Sequence, residues 1–172
     1  CVCTQTFVIS QPTLALSVSP ASTPVSCFGG SNGTASSTAS GGTTPYNYTW
    51  MPGSFSGQNI SNLPAGTYTI NVADINGCTA SNTVTVSEPT PVVLVMGSTN
   101  STCGNSNGTA TVTASGGTPN YSYLWSSGAT TATAPNLSAN TYTLTVTDSK
   151  TCSATGTRSI TQPTAISSSG TI

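Results

Sequence analysis

Residues Gly33–Trp50 read GTASSTASGGTTPYNYTW, and Gly108–Trp125 read GTATVTASGGTPNYSYLW. The second stretch follows the first at an offset of 75 residues, from Gly33 to Gly108 and from Trp50 to Trp125. Each copy has the pattern of a strand, a Gly-Gly turn (Gly41-Gly42; Gly116-Gly117) and a second strand with alternating aromatics. Tyr46, Tyr48 and Trp50 fall on one face, with Asn47 and Thr49 on the other; Tyr121, Tyr123 and Trp125 repeat this against Ser122 and Leu124. Side chains alternate across a strand, so period-two patterning predicts half-buried strands. Each tryptophan stands alone in its repeat and is expected to anchor that repeat's core.

Working outward, each repeat continues into a Leu-x-Ala-x-Thr-Tyr segment, Leu63–Tyr68 and Leu137–Tyr142. Its tyrosines, Tyr68 and Tyr142, are expected core anchors alongside Tyr48 and Tyr123. The segment has the form of a tyrosine corner, in which the phenol ties a loop to the next strand. That strand shows the clearest alternation: Tyr68, Ile70 and Val72 inward, and Tyr142, Leu144 and Val146 inward with threonines outward. A turn follows at Asp74–Gly77 and at Asp148–Thr151.

Upstream, Leu14, Leu16 and Val18 predict a first strand broken by Pro20 and Pro24, and Asn32-Gly33 predicts a turn. Residues 51–58 read as loop. Seven short strands per repeat, with turn signals every 8–12 residues, predict tandem immunoglobulin- or fibronectin-III-like β-sandwiches, an all-β fold. The boundaries follow from the repeat: 1–12 as the last strand of a preceding repeat, 13–89 as repeat 1, 90–163 as repeat 2, and 164–172 as the start of another. The chain therefore reads as a segment of a longer array. Cys1 reads as a repeat cysteine, since it precedes Pro12 as Cys78 precedes Pro89 and Cys152 precedes Pro163.

Composition narrows the function. The chain has two basic residues, three acidic ones and no histidine. No basic patch can form to bind nucleic acid or an anionic membrane, and no apolar run approaches a spanning helix. General acid–base or nucleophilic catalysis lacks its side chains, so no enzyme is expected. Asp74 and Asp148 each bring one carboxylate to a turn; calcium takes six to eight oxygens, so a turn-capping role is the expectation, with no metal and no cofactor.

The six cysteines fit an oxidising compartment. Cys27 and Cys103 precede the second strand, and Cys78 and Cys152 follow the Tyr strand. Pairing within repeats (Cys27–Cys78, Cys103–Cys152) is the simplest in sequence. In a sandwich, however, these loops lie at opposite poles, separated by strands of about 25–33 Å. Stacked repeats would instead bring Cys27 to Cys152. Both pairings stay open at this level, and Cys1 and Cys3 are left to partners outside the segment.

The ordered set Cys27…Asn32-Gly33-Thr34-Ala35, Gly41-Gly42-Thr43, Tyr46, Tyr48, Trp50, Thr67-Tyr68-Thr69, Asp74, Cys78, recurring in repeat 2, resembles the SprB repeat. The departures are an extra Cys3, Asn140 in place of Gly66, and Lys150-Thr151 in place of Asn76-Gly77. The resemblance implies a repeat of very large Bacteroidota cell-surface adhesins, including the mobile adhesin of gliding motility. Such a repeat would be exported by type IX secretion and act as a stalk in an extracellular filament. The expected partners are neighbouring repeats or other copies, with surface glycans a further candidate. Two alternatives belong to other classes. A carbohydrate-binding module would expose its aromatics, and a self-assembling fibre subunit would donate strand 1–12 to another chain.

Overall fold

The computed structural model describes Gln5 and residues 14–164. The expected strand at 1–12, Cys1, Cys3 and residues 165–172 lie outside the described residues. The chain divides into two compact units: residues up to Val25 with Gly29–Glu88, and Ser26–Phe28 with residues from Pro89 onward.

In the first unit, β1 (Ser17–Thr23), β2 (Gly33–Ser40) and β5 (Asn59–Leu63) form one sheet in the order β1-β2-β5. β3 (Asn47–Met51), β4 (Phe55–Ser56), β6 (Gly66–Ala73) and β7 (Thr79–Val86) form the other, in the order β4-β3-β6-β7. All these pairings are antiparallel. Val18, Ala35, Ile60 and Leu63 from the first sheet meet Trp50, Tyr68, Ile70, Val72 and Val86 from the second, so the core lies between two sheets. This is the immunoglobulin and fibronectin-III type of sandwich, in which the third and sixth strands pair centrally in one sheet and the second and fifth in the other.

The second unit repeats the plan. β8 (Val93–Thr99), β9 (Gly108–Ser115) and β11 (Thr133–Leu137) form one sheet; β10 (Ser122–Trp125), β12 (Asn140–Thr147) and β13 (Ser153–Ile160) form the other. Ala110, Val112, Ala134 and Leu137 pack on Trp125, Leu144, Val146 and Ile160. The alternation in TYTLTVT does what period two requires: Leu144 and Val146 are buried, while Thr143 is exposed.

Four expectations need correction. Pro20 does not end the first strand, because β1 runs through it to Thr23 and starts only at Ser17. β1 is an edge strand bonded to β2 alone, so an imide nitrogen facing away from the ladder costs nothing. Residues 51–58 contain the short strand β4, which pairs with β3 through Thr49 and Trp50. The second unit has no counterpart to β4 among the described residues, so it has six strands against seven. Finally, Asn32-Gly33 is not a turn: Gly33 begins β2 and is buried. A Cβ there would lie 2.5 Å from Val86 and 2.9 Å from the Leu63 carbonyl, so close packing explains this glycine. Gly108 is crowded in the same way by Ile160 and Leu137.

Gly41 and Gly116 do serve turns. Their φ values are +73° and +75°, and a Cβ on either would collide with the carbonyl of Ala15 or Pro91.

Candidate functional site

Among the described residues, no three His, Cys, Asp or Glu side chains gather as a metal site. The feature both units share is the end of the sandwich that carries the Asp turn and its cysteine.

At that end of the first unit, Asp74 is buried between two turns. Its Oδ1 accepts from the backbone N–H of Asn76 and of Cys78, both at 2.9 Å. Its Oδ2 accepts from Thr43 N–H at 3.0 Å. The carboxylate therefore caps its own turn and also clips the Gly-Gly turn to it. Gly42 makes the approach possible, since a Cβ there would lie 2.8 Å from Oδ2. Gly42 N–H donates to Leu14 and Ile75 N–H to Thr43, so the entry to β1 joins the same frame.

Asp148 repeats the arrangement. It accepts from Thr118 N–H at 2.7 Å and from Lys150 and Cys152 N–H at 2.9 Å, with Gly117 giving the room. For Asp74, burial pushes the carboxyl's pKa up, but the donors from Thr43, Cys78 and Asn76 outweigh it and hold the group below the usual carboxylate value. For Asp148 the Thr118 donor is the largest influence and lowers the pKa. Burial opposes it, and the Cys152 and Lys150 N–H groups and the Lys150 charge add to the lowering. The backbone donors Thr43 and Thr118 are the part of this site that sequence reading missed. Their only signal is a polar residue directly after each Gly-Gly pair.

The opposite end carries the other cysteine. In the first unit, the β1–β2 connection is tied to the exit of β7: Val25 N–H donates to Ser87, and Gly29 N–H to the Glu88 carboxylate at 2.7 Å. In the second unit Ser101 N–H donates to Thr161, and the Cys103 thiol points to the Pro163 carbonyl at 3.3 Å.

Cys27 is disulfide-bonded to Cys152, across 125 residues of sequence. Cys78 and Cys103 are exposed free thiols. The within-repeat pairing is thus replaced by a link from the first repeat to the second. The reason is the length of the sandwich: β7 runs eight residues from the Cys78 turn to the end where Cys27 leaves. At about 3.3 Å per residue that is roughly 26 Å, several times a disulfide's Cα separation.

The expected core anchors divide into two groups. Trp50 and Trp125 are 0 % and 1 % exposed, and their indole N–H groups donate to Gly57 and Thr131, each at 3.0 Å. Tyr68 is buried, and its hydroxyl donates to Pro64 at 3.0 Å, four residues back. Tyr142 makes the same bond to Ser138 at 3.2 Å but is half-buried. Tyr48 and Tyr123 are also half-buried and pack on the core's rim rather than within it. Tyr46 and Tyr121, not singled out as anchors, donate to the carbonyls of Gly41 and Gly116 and so brace the Gly-Gly turns. Outward threonines pair across strands, as Thr23 with Thr34 at 2.7 Å and Thr99 with Thr109 at 2.8 Å.

The SprB repeat model matches residues 19–55 and 97–130. Each unit carries one SprB repeat match. The two matches run from β1 to β4 and from β8 past β10, taking in each Gly-Gly turn and aromatic strand. No curated protein matches the chain. Among solved structures, the chain is similar to one titled "Structure of amphioxus IgVJ-C2 molecule", at 16 % identity and a TM-score of 0.33, over 70 % of this chain and 90 % of that one.

Proposed function

We propose that this chain is a load-bearing, non-catalytic spacer of a bacterial cell-surface adhesin or surface filament. The SprB repeat matches support the setting, with type IX export and gliding motility as its extension. The observation that carries the mechanical reading is the Cys27–Cys152 disulfide. Tension applied to the two ends of the chain passes from the N-terminal side to Cys27, across the sulfur bridge, and out after Cys152. The stretch between the two cysteines, which are separated by 125 positions and enclose most of both cores, cannot be drawn out while the bridge holds.

The absence of histidine and the scarcity of charge support a non-catalytic role. Burial of Trp50 and Trp125 removes the side chains best able to stack on a sugar, which weighs against the carbohydrate-binding reading.

Single-molecule extension with handles at the two ends tests the proposal. Fully extended backbone spans at most about 3.3–3.6 Å per residue, so reduction should release about 400–450 Å of hidden length from the 125-residue loop. Equal extension with and without reductant would overturn the reading.

A further inference from the structure

Cys27 and Cys103 occupy the same place in their repeats, the connection into the second strand, and Cys152 and Cys78 both follow the Asp turn. Cys27 and Cys152 are joined. Cys103 and Cys78 are the unfilled counterparts of that pair, each exposed. Their surroundings match too. Cys78 N–H is held by Asp74 as Cys152 N–H is held by Asp148, both at 2.9 Å. A second observation concerns what covers the two ends. At the Cys152 end, Cys27 and Phe28 line one cavity with Thr90, Val92 and Gly117. At the Cys78 end, Leu14, the counterpart of Thr90, is 69 % exposed, and neighbouring Ile75 is 63 % exposed. Exposed large apolar side chains thus stand beside a free thiol, at the position where the other repeat has a cavity lined by a cysteine-bearing loop.

We propose that Cys78 and Cys103 are the two complementary halves of an array-extending crosslink, and that the partner of each is a further copy of this repeat. Cys78 takes a Cys103-type cysteine, and Cys103 takes a Cys78-type cysteine. The oxidant is a low-molecular-weight disulfide such as oxidised glutathione. One cysteine thiolate attacks it, forms a mixed disulfide and releases one glutathione thiol. The second cysteine's thiolate then attacks the protein sulfur, closes the bridge and releases the other, so two protein thiols are oxidised as one glutathione disulfide is reduced. The inference deepens the spacer reading and rests on it.

The test uses the full chain carrying Cys1→Ser and Cys3→Ser, at about 1 mM, the concentration that a tethered neighbour experiences. With oxidised glutathione it should form a ladder of reducible oligomers, and peptide mapping should find Cys78 linked to Cys103 between molecules. Adding Cys78→Ser or Cys103→Ser should leave each protein monomeric, while an equal mixture of the two should give dimers alone, at least tenfold above either variant by itself. Homotypic dimers of either single variant at the level of the mixture would overturn the proposal, as would a Cys78–Cys103 bridge inside one molecule. If pairing fails while reduction still releases hidden length from the single chain, the array is lost and the spacer stands. Equal extension with and without reductant would remove the spacer instead.

Discussion

Asp74 and Asp148 are the residues on which each unit's end depends. Each carboxylate collects three backbone N–H groups from two different turns. Those bonds favour the ionised form, so both groups titrate below the usual value. A carboxyl whose folded pKa is depressed adds stability above its unfolded pKa, about 3.9, and loses it as pH falls through the folded value. Stability should therefore be flat from neutral pH down to about 4 and fall below that. Thermal melts across pH 2–9 check this, and the paired Asp74→Asn and Asp148→Asn variant should lose most of the acid-side fall. Tyr68 makes a simpler prediction. Tyr68→Phe keeps the buried ring and deletes one bond to Pro64, so urea unfolding should show a loss of about 1 kcal/mol.

At the scale of elements, each sandwich is held by its own cluster around its own tryptophan. Trp50→Ala should cost the first unit about 3–5 kcal/mol, a large part of a small domain's stability. Trp125, then the remaining tryptophan, should report an unchanged midpoint for the second unit, because distant sites add independently. Calorimetry showing both transitions lowered together would contradict separate cores. The strand-to-strand turn gives another test. Gly116→Ala places a side chain at φ +75° against the Pro91 carbonyl, and should lower the second unit's melting temperature without moving the first's. The strands themselves were legible because period-two runs such as Tyr68–Val72 state their inward face directly. β4 was not legible: Phe55–Ser56 is two residues long and pairs only because β3 offers an unfilled edge. Pro20 misled for a related reason, since whether a proline breaks a strand depends on whether its nitrogen side needs a partner.

For the whole molecule, the disulfide decides how the chain answers force. Cys27→Ser should leave both tryptophans buried, with near-ultraviolet circular dichroism unchanged, while releasing the hidden length that reduction releases. Loss of the near-ultraviolet signal would mean that the bridge holds the folds rather than the length. The sequence alone determined the repeat, the long alternating strands, the two tryptophan cores and the turn role of the aspartates. Each of these follows from local period, turn chemistry or composition, which neighbouring residues carry between them. The cysteine partners and the second grip of each aspartate were decided only by tertiary structure. Cys27 and Cys78 belong to one sequence repeat, but eight-residue strands hold them at opposite ends of one sandwich. Thr43 and Asp74 are 31 residues apart, but the fold brings their turns together. Sequence spacing does not encode which strand ends meet, and the packing of two sheets does.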